Sequence, residues 1–81
     1  MALILSDEFQ KDYAKIKDQA TKERLKKALV VLLENPEKGK KLHYDLREKR
    51  SLRSDPFRII YQIVGNDIHI IKLGHRKDVY E

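Results

Sequence analysis

The sequence predicts an α+β domain: an N-terminal strand, an antiparallel helix hairpin, then a three-stranded antiparallel meander, with the helices packed on one face of a mainly antiparallel sheet. Two observations carry this. Up to residue 33 the apolar side chains recur at spacings of three and four, whereas beyond residue 56 they are β-branched or aromatic and follow a period of two. Gly65-Asn66 then splits the second region into two runs of similar length, the signature of a hairpin.

Residues 2–5 are a short apolar run ended by Ser6 and Asp7, both good N-cap residues, so they read as a strand entering a helix. Asp7 and Gln10 have capping-box spacing. Phe9, Tyr13 and Ile16 mark one face of this helix, which is expected to end near Asp18. Leu25, Ala28, Leu29, Leu32 and Leu33 form a second stripe, with Thr21 as the expected cap and Asn35-Pro36 as the stop. Residues 37–41 contain Gly39 and four charges and read as a loop. Strands are expected over Phe57–Val64 and residues 67–73, with a third inside residues 42–53.

With 81 residues and no cysteine, the chain is expected to form one domain, residues 1–81, held by packing alone. Its longest apolar run, residues 28–33, falls far short of the roughly 20 residues that cross a bilayer. Residues 1–5 lack the charged start and cleavage site of an export signal, so a cytoplasmic location is expected. The net charge is +5, and all of the excess lies in residues 38–81. A one-sided basic surface attracts polyanions by neutralising phosphates and releasing counterions, which points to nucleic acid; a merely solvated lysine-rich surface is the alternative. Three histidines without carboxylate spacing make no metal-site pattern.

Strand alternation sorts the second half into two faces. Ile59, Tyr61 and Ile63 share the helix side with Ile68 and Ile70, and Leu52 joins them. The open side is expected to carry Arg58, Ile60 and Gln62 beside His69, Ile71 and Leu73, with Lys49, Ser51 and Arg53 from the preceding strand. Gathered like charges repel, so their clustering makes most sense beneath an anionic ligand.

The stretch Ser51-Leu-Arg-Ser-Asp-Pro-Phe-Arg-Ile-Ile-Tyr-Gln-Ile, followed by Leu73-Gly-His-Arg-Lys-Asp-Val-Tyr, resembles the final strands and C-terminal segment of the RelE/ParE toxin superfamily. The motif covers about the last 30 residues; the predicted element order agrees along the whole chain. Members are toxins of type II toxin–antitoxin systems. The RelE branch consists of mRNA interferases, endoribonucleases that inhibit translation, typically by cutting in the ribosomal A site; the ParE branch poisons DNA gyrase. The resemblance implies a cognate, RelB-like antitoxin as partner and mRNA on the ribosome as target. The implied chemistry is attack of a ribose 2′-OH on the adjacent phosphorus, with no metal or cofactor.

Position by position, Arg58 matches the family arginine at the scissile phosphate, Arg76 a second arginine that stabilises charge or assists the leaving group, and Tyr80 a tyrosine that stacks on a base. Lys49 and Arg53 fall where the RelE branch has RNA-binding basic residues. Ser51 stands where the best-known RelE has the lysine assigned as general base, a departure from the pattern. His75, beside Arg76 and carrying an imidazole of near-neutral reference pKa, is then the best local proton acceptor. Two alternatives remain open: a ParE-like gyrase inhibitor, and a degenerate, non-catalytic member that binds RNA or antitoxin.

Overall fold

The computed structural model describes residues 2–42 and 48–75. Along the chain run β1 (Leu3–Leu5), α1 (Asp7–Ala14), α2 (Gln19–Glu34), β2 (Lys40–Lys41), β3 (Arg50–Ser54), β4 (Phe57–Val64) and β5 (Asp67–His75). The sheet has the order β1-β5-β4-β3-β2, with β1 parallel to β5 and the other pairs antiparallel. This is the expected α+β architecture with one element more, since β2 lies where a loop was expected.

Ser6, not Asp7, caps α1: its Oγ accepts a hydrogen bond from the Phe9 amide at 3.0 Å. The helix stops at Ala14, before the expected Asp18. The Lys15 and Ile16 amides bond back three residues, to the Asp12 and Tyr13 carbonyls, and this tighter turn leaves Ile16 packed against the core. Asp18 rather than Thr21 occupies the N-cap position of α2; Thr21 sits in the first turn, buried, and its Oγ1 donates to the Asp18 carboxylate at 2.6 Å. Between β4 and β5 only Gly65 has a positive φ, 61°, as a type II′ turn requires of its first central residue.

Phe9 from α1 with Leu25 and Leu32 from α2 pack on Ile59, Tyr61, Ile68, Ile70 and Leu73 of the sheet. Leu33, expected in the stripe, is 40% exposed and lies outside this cluster.

Leu73 itself corrects the face assignment. Ile60 pairs with Lys72 but Tyr61 pairs with Ile70, so Ile71 is an extra residue in β5, a β-bulge. Beyond it every side chain changes sides relative to simple alternation, which takes Leu73 from the expected open face into the core.

Candidate functional site: a basic cleft on the open sheet face

Arg58 lies opposite Arg53 across the β3–β4 ladder, and Ser51 lies opposite Ile60. Directly opposed residues project to the same side of a sheet, so Ser51, Arg53, Arg58 and Ile60 share the face away from the helices. Arg58 Nη1 donates to Ser51 Oγ at 3.1 Å, which ties the guanidinium to the neighbouring strand. Ser51 is 4% exposed, so this anchor sits at the floor of the site. Arg53 is turned toward the β3–β4 turn by an ion pair with Asp55, Nε to Oδ1 3.0 Å.

A cleft of about 410 Å³ opens above these residues, lined by Lys38, Lys40, Lys41, Ser51, Arg53 and Arg58. Among the described residues no carboxylate lines it. Two like charges placed opposite one another in a ladder are destabilising, so Arg53 facing Arg58, with lysines from β2 beside them, is an arrangement suited to an anion. A guanidinium offers a phosphate two parallel N–H groups, and lysines add point charges around it.

The structure brings together three of the expected residues, Arg58, Arg53 and Ser51. Lys49, half-buried just before β3, pairs through its carbonyl with the Leu42 amide and is not in the cleft wall. Arg76 and Tyr80 lie outside the described residues.

His75 is separated from Arg58. It pairs with Phe57, its ring edge-on to the Phe57 ring at 5.7 Å between centroids, and lines a second cleft on the helix side with Ile16, Asp18, Thr21 and Leu73. The bulge that buries Leu73 has also carried His75 to the face opposite Arg58, so in the described structure it is not placed to accept a proton there. That helix-side cleft is the larger of the two, about 530 Å³, but its lining mixes Lys15 and Lys17 with Asp12 and Asp18, so its charges offset one another.

The sequence reading missed the lysines of β2. Lys40 lies opposite Ser51 and Lys41 opposite Arg50, so the supposed loop forms the cleft's outer wall. The signal was present as a basic run around a single glycine. Gly39 allows the chain to pass directly over Tyr61: a Cβ there would lie 2.6 Å from Tyr61 Cε1.

Residues 3–80 match the family described as the ParE toxin of type II toxin–antitoxin system, parDE. The chain belongs to this family, within the RelE/ParE toxin superfamily. No protein of curated function matches significantly in sequence. Among solved structures it is similar to the isolated E. coli RelE toxin, with 31% identity and a TM-score of 0.70 over 90% of this chain and 81% of that one. It is also similar to the toxin of the intact E. coli RelBE toxin–antitoxin complex (29%, TM-score 0.72, 90% of this chain and 93% of that one). The Staphylococcus aureus YoeB dimer shares the fold at 20% identity (TM-score 0.79, 93% and 95% covered).

Proposed function

We propose that this toxin is a RelE-like mRNA interferase, a cytoplasmic endoribonuclease that cuts mRNA on the ribosome. The observation that carries this reading is Arg58 held by Ser51 in a cleft walled by lysine and arginine. In the reaction the ribose 2′-oxygen forms a bond to phosphorus as the bond from phosphorus to the 5′-oxygen breaks. A cyclic phosphate and a free 5′-OH result, after the 2′-OH loses its proton and the leaving oxygen gains one. Arg58 stabilises the negative charge growing on the non-bridging oxygens, and substrate alignment by the surrounding cations supplies further acceleration. Arg76 and Tyr80 join the site in this reading through the resemblance alone. With Ser51 bound to Arg58 and His75 on the other face, neither stands at the 2′-OH in the described structure, and the proton lost there is balanced by the one gained at the 5′-oxygen.

The similarity to the RelBE toxin–antitoxin complex supports a RelB-like antitoxin as the partner. An acidic segment is the chemistry that would neutralise the cleft. A gyrase-directed activity is the second reading, favoured by the ParE description of the matching family. Pulse labelling after expression without antitoxin separates the two. A prompt loss of methionine incorporation with thymidine incorporation intact is expected; gyrase-linked DNA breaks with translation continuing would overturn the interferase reading.

A further inference from the structure

We propose that the β2 edge supplies a second phosphate subsite, formed by Lys38 and Lys40, which holds the RNA backbone beside the phosphate at Arg58. The inference rests on the RNA-directed reading of the cleft and adds residues that the family resemblance does not assign.

Strand register puts Lys40 and Arg58 on one face. Lys40 lies opposite Ser51, which lies opposite Ile60, so a single row crosses β2, β3 and β4 on the open face, and Arg58 stands two residues along β4 from its end. At about 4.8 Å between strands and about 3.4 Å per residue, the Lys40 and Arg58 backbones are about 12 Å apart. Two cations so far apart at their roots, lining one cleft, suit successive groups of an extended polyanion better than a single phosphate.

Charge distinguishes these lysines from their neighbours. Lys41, opposite Arg50, pairs with Glu48 at 3.5 Å, and Arg53 pairs with Asp55. Among the described residues Lys38 and Lys40 line the cleft with no carboxylate in salt-bridge range. Ser51 itself serves Arg58, and the cation opposite it, Lys40, stands one strand further out.

The strand is also held in place. Tyr61 Oη accepts from the Gly39 amide at 2.8 Å and donates to the Pro36 carbonyl at 2.7 Å, while Arg50 Nη1 donates to the Gly39 carbonyl at 2.9 Å. Gly39 lies between the two lysines, so these bonds fix the backbone that carries both. A lysine on a tethered edge loses less freedom on binding than one on a loose loop.

The test is binding of a short single-stranded RNA, 2′-O-methylated so that it cannot be cut, titrated at several salt concentrations. Each phosphate contact contributes about −0.7 to the slope of log K against log salt for a single strand. Lys38→Gln and Lys40→Gln should each flatten the slope by about that amount, whereas Lys26→Gln, on the far side of α2 and paired with Glu23, should leave it unchanged. Arg58→Ala should flatten it as well. If the two β2 variants keep the parent slope while Arg58→Ala does not, the subsite is overturned and the interferase reading stands. An equal flattening by Lys26→Gln would also overturn it, because binding would then be diffuse. A parent protein whose RNA binding ignores salt would remove both readings.

Discussion

Ser6 Oγ donates a hydrogen bond of 2.5 Å to the carbonyl of Ile71, the bulged residue of β5, while accepting one from the Phe9 amide. One hydroxyl thus starts α1 and satisfies a carbonyl at the bulge. The bulge in turn puts Leu73 into the core and His75 on the helix side, so the link from Ser6 to Ile71 fixes the face assignment of the end of β5. Ser6→Ala should cost about 1–2 kcal/mol, from the lost cap and the orphaned carbonyl together. Urea denaturation measures it; a change within error would mean that water replaces the hydroxyl fully.

The buried Tyr61 hydroxyl joins the core to the cleft wall through Gly39 and Pro36. Tyr61→Phe should cost about 1–3 kcal/mol because two backbone groups lose their partner. Gly39→Ala should cost at least as much, since the new methyl meets a ring that is 0% exposed and cannot retreat. Combining the two substitutions should not restore stability, because the ring carbons, Cε1 at 2.6 Å and Cζ at 2.8 Å, still obstruct the methyl when the hydroxyl is gone.

The same tyrosine predicts an alkaline effect. Burial raises its pKa above the ordinary 10.0, opposed by the Gly39 hydrogen bond and the nearby Arg50 charge. The unfolded chain therefore loses the phenolic proton first as pH rises, so this contribution is full below 10.0 and is lost toward the higher folded value. Urea midpoints taken from neutral pH to above 10.0 should fall more steeply for the parent than for Tyr61→Phe. Parallel curves would show that the buried hydroxyl does not control this limb.

Period and turn chemistry made the main elements legible: the helical stripes through Phe9 and Leu25, the hairpin at Gly65, and the core face of Ile59, Tyr61, Ile68 and Ile70 all appear where their spacing puts them. The bulge was not legible, because Ile70 and Ile71 are both apolar and either could begin the next alternation. From that one residue follow the misplacement of Leu73 and the expected partnership of His75 with Arg58. Strand β2 was hidden for a different reason: two lysines carry no β signal of their own and pair only because β3 offers an open edge. Arg58, Arg53 and Ser51 were accessible to sequence reasoning because they precede the bulge, where alternation holds.

At the other end of the pH range, Asp18 has its pKa lowered below 3.8, chiefly by the hydrogen bond from the Thr21 hydroxyl. A depressed carboxylate pKa contributes stability above 3.8 that is lost as pH falls through the lower folded value. Asp18→Asn keeps a good N-cap residue but removes the titration, so its acid limb should be flatter than the parent's. Thr21→Val, which removes the largest cause of the shift, should move the limb in the same direction. Unchanged acid curves for both variants would exclude this pair as a source of acid sensitivity.

The last prediction concerns Arg58 and its anchor. Arg58→Ala should lower the cleavage rate on programmed ribosomes by about a hundred- to a thousand-fold, the scale for removing a donor aimed at developing charge. Stability should change by about 1 kcal/mol or less, because relief of the Arg53–Arg58 repulsion offsets the hydrogen bond lost at Ser51. Ser51→Ala removes one hydrogen bond from the guanidinium, so it should cost about two- to twelve-fold, the equivalent of one ordinary hydrogen bond. The double variant then distinguishes the roles: if Ser51 acts only by positioning Arg58, then Ser51→Ala should add almost nothing once Arg58 is gone. Arg58→Lys should recover RNA binding more than rate, since a point charge replaces the fork that spans two phosphate oxygens. Independent, additive losses from Ser51→Ala and Arg58→Ala would instead mean that Ser51 touches the substrate itself, and parent-level cleavage by a folded Arg58→Ala protein would remove the cleft as the site of chemistry.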